Sequence, residues 1–131
     1  MSNHFEKVKQ YLQELEVPIT NEFPKDELVI VEDEEIGIKN LVIDCEDPIL
    51  IVEQVIMNVP KEAGDFYKRL LQMNRTLVHG AFVLDEDART VLFRDTLQLE
   101  NLDKNELEAT IRALSFALIE NMDELLEYSR R

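Results

Sequence analysis

The sequence predicts an α+β fold: one antiparallel, twisted sheet of five strands with helices packed mainly on one face, in the order α-β-β-β-α-β-β-α. Three observations predict it. Apolar residues recur at helical spacing near both ends and in the middle of the chain. Short β-branched runs stand between those segments in groups, without a regular β-α alternation. The connections within each group are short, which favours antiparallel neighbours. The 131 residues suit one domain over 1–131, and 45% hydrophobic residues can supply a core without disulfides or metal.

The first helix is expected over residues 3–16, because Phe5, Val8, Tyr11, Leu12 and Leu15 share one arc while Glu6, Lys7, Gln10, Gln13 and Glu14 fall opposite. Pro18 and Pro24 then mark a connecting loop. Leu28-Val29-Ile30-Val31 reads as the first strand, broken by the acidic turn Glu32-Asp33-Glu34-Glu35. Ile36 to Cys45 reads as the second, with Leu41, Ile43 and Cys45 on one face and Val42 opposite. Asp47-Pro48 signals a turn, and Ile49 to Val59 reads as the third strand, closed by Pro60. Its first half is apolar on both faces, as in a strand covered on both sides or lying at an interface.

A second helix is expected over residues 61–78. Phe66, Leu70, Met73 and Leu77 form one stripe; Tyr67, Leu71, Asn74 and Val78 form another about a quarter-turn round. The combined apolar arc is wider than one sheet contact needs. Lys68, Arg69 and Arg75 share the remaining side, a solvated basic face among the acids. Ala81-Phe82-Val83-Leu84 and Val91-Leu92-Phe93 then make a hairpin around the polar segment 85–90, with Gly80 supplying an unusual dihedral before it. The last helix has the clearest start: Asp103 and Glu106 make a capping box, and Leu102 and Leu107 a hydrophobic staple. Leu107, Ile111, Leu114, Leu118, Met122 and Leu125 form its core stripe. Phe116 falls on the far side, a scattered exposed residue or part of a contact surface.

Chemistry is sparse. No catalytic, cofactor-binding or metal-ligating residue is identified. His4, His79 and Cys45 have no zinc spacing, and Gly37, Gly64 and Gly80 are too far apart for a phosphate loop. Ser2, Ser115 and Ser129 have no histidine partner suggesting a nucleophile. The carboxylate runs Glu32–Glu35 and Asp85-Glu86-Asp87 lack the alternating ligands of a calcium loop. Cys45 sits as a small apolar strand residue.

The charge excludes partners. With 14 basic and 28 acidic side chains the net is −14, which repels nucleic-acid phosphates and anionic membranes. Residues 1–60 hold 4 basic and 14 acidic side chains, and residues 61–131 hold 10 and 14, so the excess lies in the first half. The polar amino terminus and the lone cysteine lead to the expectation of a cytoplasmic protein without export signal or membrane span.

Leu70-Leu71-Gln72-Met73-Asn74, Gly80-Ala81-Phe82-Val83-Leu84-Asp85, Val91-Leu92-Phe93-Arg94 and Leu97-Gln98-Leu99-Glu100-Asn101-Leu102-Asp103 together resemble the type III secretion chaperone-like fold. The families are the CesT/Tir-chaperone and YbjN-like ones, and the chain is closer to the YbjN-like branch. The resemblance covers about residues 3–127. It implies a small acidic cytoplasmic homodimer that binds another protein, with the second helix and nearby strands building the dimer. That implication meets the second stripe, so Tyr67, Leu71, Asn74 and Val78 are the expected dimer interface. The expected function is a non-enzymatic, chaperone-like or regulatory protein-binding module without a cofactor. Its partners are a second copy of itself and an unidentified client. Two alternatives are a small-molecule or divalent-cation binder or enzyme using surface carboxylates, and a subunit of a larger assembly.

Overall fold

The computed structural model describes residues 3–131. Its elements are α1 (Asn3–Glu14), β1 (Ile19–Phe23), β2 (Leu28–Asp33), a short 3-10 turn (Glu34–Ile36), β3 (Ile38–Glu46), β4 (Ile49–Asn58), α2 (Phe66–Asn74), β5 (Ala81–Leu84), β6 (Thr90–Gln98) and α3 (Lys104–Ser129). All neighbouring strands pair antiparallel in one sheet, ordered β1-β2-β3-β4-β6-β5.

The sheet has six strands rather than five. The segment between Pro18 and Pro24 is an edge strand, not a loop. Ile19 is half-buried and its next four residues are exposed, so β1 has no apolar alternation to announce it. The acidic run is also divided: Glu32 and Asp33 end β2, and Glu34 and Glu35 belong to the 3-10 turn.

One face of the sheet carries the core. Val29, Val31, Leu41, Ile43, Cys45, Leu50, Val52, Val91 and Phe93 are buried together with Phe5, Val8 and Leu12 of α1, Phe66 and Leu70 of α2, and Leu107, Ile111, Leu114 and Leu118 of α3. The alternate positions Ile30, Val42, Asp44, Ile51 and Leu92 are only half-buried. The apolar first half of β4 is therefore covered by helices on one side alone.

Five contacts fix the helices. The Tyr11 hydroxyl donates to the Leu102 carbonyl at 3.2 Å, and Lys104 pairs with Glu14 at 3.2 Å, seating α1 at the start of α3. Phe66 meets Tyr128 edge-to-face at 4.9 Å, and the Tyr128 hydroxyl donates to Asp65 at 2.6 Å. The Arg69 guanidinium binds both oxygens of Glu124 at 2.5 and 2.8 Å. Thus Arg69 of the basic face is ion-paired, and α2 runs antiparallel along the far half of α3. The capping box at the start of α3 has both its bonds: Asp103 accepts from the Glu106 N–H at 2.8 Å, and Glu106 accepts from the Asp103 N–H at 3.3 Å.

The second helix is shorter than its periodicity suggests. It begins at Phe66 and ends at Asn74. Arg75, Thr76 and Leu77 donate three residues back, to Gln72, Met73 and Asn74, so the helix tightens and stops. Gly80 then takes φ +72, and a Cβ there would strike the Phe93 ring.

The sheet also splits. The β3–β4 ladder runs from Glu46–Ile49 to Val42–Glu53 and ends there. Before Val42, β3 pairs only with β2 as far as Ile38, while β4 continues with β6 to Asn58. Asn40, in the left-handed region at φ 48, turns β3 away. Gln54, only 5% exposed, bridges the opening: its amide nitrogen donates to the Gly37 carbonyl at 3.1 Å, and its oxygen accepts from the Lys39 N–H at 3.0 Å.

Candidate functional site

The titratable groups offer little chemistry. Burial pushes the Cys45 thiol up to about 12, with Glu27, Asp44 and Glu46 adding to the effect, so the sulfur stays protonated and unreactive at neutral pH. Among the described residues no three His, Cys, Asp or Glu side chains are placed to hold a metal ion. No helix among them is long and apolar enough to cross a membrane. What the surface offers instead is apolar area at two places.

The first lies where α2 meets β5. Leu71 is 72% exposed, and Tyr67 and Leu84 are also open to solvent. With Leu70, Phe82 and Val83 they line a recess of about 240 Å³. Exposure of such large side chains in one cluster marks a contact surface.

Of the four residues expected at a dimer interface, the structure brings Tyr67 and Leu71 together here. Asn74 faces inward. Its side-chain oxygen accepts from the Phe82 N–H at 2.7 Å and its amide nitrogen donates to the Phe82 carbonyl at 3.1 Å. The amide thus fills one rung of the outer edge of β5, which otherwise pairs only with β6. Val78 lies beyond the end of α2. It is 88% exposed but borders Ala109, Ala113 and Phe116 of α3 rather than Leu71. The four-residue stripe is broken because the helix is.

The second surface follows α3. Phe116, Ile119, Met122 and Leu126 are all exposed, at spacings of three, three and four residues. Met122 therefore leaves the expected core stripe, which continues through Leu125 and the buried Tyr128. Phe116 is not a scattered residue, since Ile119, 73% exposed, stands one turn on. Phe116 and Ile119 border a recess of about 460 Å³ closed by Leu15, Val17 and Ile36. Met122 and Leu126 border another of about 360 Å³ that opens onto the β3–β4 split. Gly37 lines the second, where a Cβ would press on Leu118 at 3.3 Å. Sequence reasoning singled out neither Ile119 nor Leu126, although their helical spacing from Phe116 was visible. Leu84 was missed because a four-residue strand gives no periodicity.

Asp44 stands on the half-buried face. Burial raises its carboxyl to about 6, helped by its hydrogen bond with Glu46 and by the charges of Glu46, Asp26 and Glu53. One Asp44 oxygen and one Glu27 oxygen are buried without a hydrogen-bond partner.

The architecture is shared with known structures. YbjN from E. coli superposes with a TM-score of 0.70 at 12% identity, covering 92% of each chain. A chain of the HopA1–SchA chaperone–effector complex gives 0.63 at 17% identity, covering 89% of this chain and 93% of that one. The structure of the Yersinia pestis type III secretion chaperone SycH with a fragment of YscM2 gives 0.54 at 14% identity, covering 97% and 100%. At these identities the likeness is one of fold. No curated protein matches the chain by sequence. The family profile CesT_Tir_1, however, matches residues 1–131, and with the six-stranded sheet, the three helices and the apolar surfaces in view, the chain belongs to the CesT_Tir_1 family.

Proposed function

We propose that this chain, as one domain, is a non-enzymatic protein-binding module, chaperone-like or regulatory, that works as an acidic homodimer in the cytoplasm. The observation that carries this reading is the cluster of Tyr67, Leu71 and Leu84 beside β5, large apolar side chains left in water by a protein whose other exposed surface is rich in carboxylate. Family membership supports it. So do two structures of the same fold that hold a partner: SchA is described in a chaperone–effector complex and SycH with a stable fragment of YscM2.

The second copy is assigned to the α2–β5 surface, around Tyr67 and Leu71. Asn74 belongs to that interface as the residue that shapes it, by holding Phe82, and Val78 lies at its border. A client then has the α3 surface. Since Asn74 fills the β5 edge at Phe82, the two copies meet by side-chain packing rather than by joining their sheets.

The test is recovery of the tagged chain from its native host. Wild type is expected to bring down one protein at a fixed ratio, and Ile119→Glu to lose it. Recovery of the chain without a companion counts against a client. Recovery with several companions at fixed ratios favours a larger assembly.

A further inference from the structure

The face of the sheet turned away from the helices is largely apolar. The register sets Phe23, Leu28, Asp44 and Ile51 in one row across β1 to β4, and Ile30, Val42 and Glu53 in the next. Ile49 stands opposite Glu46. Phe23 is exposed, and Leu28, Ile30, Val42, Ile49 and Ile51 are half-buried, while the buried faces of α1, α2 and α3 all join the core on the other side. A solvated sheet face is usually polar. Here six apolar side chains surround one carboxylate, Asp44.

Among the described residues no cation pairs with Asp44. One of its oxygens is buried without a hydrogen-bond partner. The charged groups acting on it are acids: Glu46, which shares a hydrogen bond with it, Asp26 and Glu53. Arg94 is taken up by Glu53 at 2.9 Å, and Lys25, in the turn with Asp26, is exposed. The carboxylate therefore costs its own fold stability, and nothing in the chain offsets it.

We propose that this face takes an amphipathic helix of a partner protein, with a lysine or arginine inside its apolar stripe seated on Asp44. Here β2 and β3 are paired on both sides, so the face offers side chains and no free strand edge. An apolar sheet face is closed by helices or by a second sheet. A second copy of this sheet would set Asp44, Glu46 and Glu53 against the same acids, and phosphate-bearing surfaces are repelled for the same reason. A cation framed by apolar side chains matches both the charge and the ring around it. The row from Phe23 to Ile51 crosses four strands, about 14 Å, the length of roughly ten helical residues. Such a partner also covers the second apolar face of β4.

This inference rests on the protein-binding reading and lies on the opposite side of the sheet from α3. The probe is a side-chain-stapled helical peptide of about 14 residues, with leucines along one face, a single lysine at their centre and glutamines elsewhere. It is titrated into the isotope-labelled full chain and followed by amide NMR at about pH 7.5. Shifts are expected at Leu28, Ile30, Val42, Asp44 and Ile51. A second peptide carries norleucine for the lysine and should bind about tenfold more weakly. On Asp44→Asn the two peptides should bind alike, which isolates the pair. Between about pH 7.5 and 5 the lysine peptide should lose about tenfold on wild type as Asp44, titrating at about 6, gains its proton, and the norleucine peptide should not. The comparison of the two peptides on wild type stands even if the variant does not fold. The proposal is overturned if norleucine binds as well as lysine, if the lysine preference survives Asp44→Asn, or if no shift occurs up to about 1 mM. Shifts confined to Phe116, Ile119, Met122 and Leu126 overturn it too, yet keep the protein-binding reading, which the native-host recovery decides separately.

Discussion

At β5 the amide of Asn74 engages both main-chain groups of Phe82, whereas at the β3–β4 split the amide of Gln54 engages Lys39 and Gly37 and leaves the next residues of β4 without a strand partner. The two side chains have similar chemistry and both end strand pairing. They differ in what they leave beside them. Next to Asn74 the edge is filled and the exposed material is side chain: Tyr67, Leu71 and Leu84. Next to Gln54 it is Val55, 64% exposed, on a stretch of β4 without a β3 partner. A filled edge blocks sheet-to-sheet association, and an open one invites it. The two places therefore differ in kind: side chains are exposed at α2–β5, and β4 is left without a β3 partner at the split.

The largest effect expected is at Gln54. Gln54→Leu keeps the volume but strands the Lys39 N–H and the Gly37 carbonyl, so stability should fall by about 2–3 kcal/mol in urea unfolding. A loss below about 0.5 kcal/mol would mean that the amide does not hold the split together. Asn74→Ala comes next, at about 1–2 kcal/mol, because Asn74 is half-buried where Gln54 is buried, so water replaces part of what is lost. The same variant opens the β5 edge, so light scattering should show concentration-dependent association beyond the wild-type dimer. If it does not, the edge was not what Asn74 guards.

Asp44 probes the paired half of β3–β4, beside the split. Its folded carboxyl titrates at about 6 against 3.8 for the free group. The folded protein thus binds the proton more tightly than the unfolded chain, so this group favours folding below pH 4 and loses that contribution as pH rises through 6. Asp44→Asn should then stabilise the protein by about 1 kcal/mol at pH 7.5, after allowing for solvent screening, with the gain shrinking toward pH 4. A pH-independent difference in melting between the two proteins would place the effect elsewhere. The smallest stability change belongs to Leu71→Glu, within about 0.5 kcal/mol for the isolated subunit, since the side chain touches little of its own core. Circular dichroism melts at low protein concentration measure it.

Much of this organisation is legible in the sequence. Buried, periodic segments were readable: α1, α3 with its capping box, and the core faces of β2 to β4 all follow from spacing. Features decided by solvent or by long-range turns were not. β1 is polar because it is an edge, and nothing in Ile-Thr-Asn-Glu-Phe announces pairing with β2. The end of α2 depends on Asn74 bonding to Phe82, eight residues on, which no helical repeat encodes. The split depends on the left-handed turn at Asn40 and on a buried Gln54, and a single glutamine in a β-rich run reads as ordinary. The exposure of Tyr67 and Leu71 was legible because an apolar arc wider than a sheet contact has a physical meaning. Val78 lies past the end of α2 at Asn74, so the helical spacing that grouped it with them does not extend to it.

The most direct test of the account is sedimentation velocity at high micromolar concentration on wild type and Leu71→Glu side by side. The account predicts a wild-type species at twice the 15.3 kDa chain mass and a soluble, folded monomer for Leu71→Glu. A wild type that stays strictly monomeric, or a Leu71→Glu variant that remains dimeric, would contradict it.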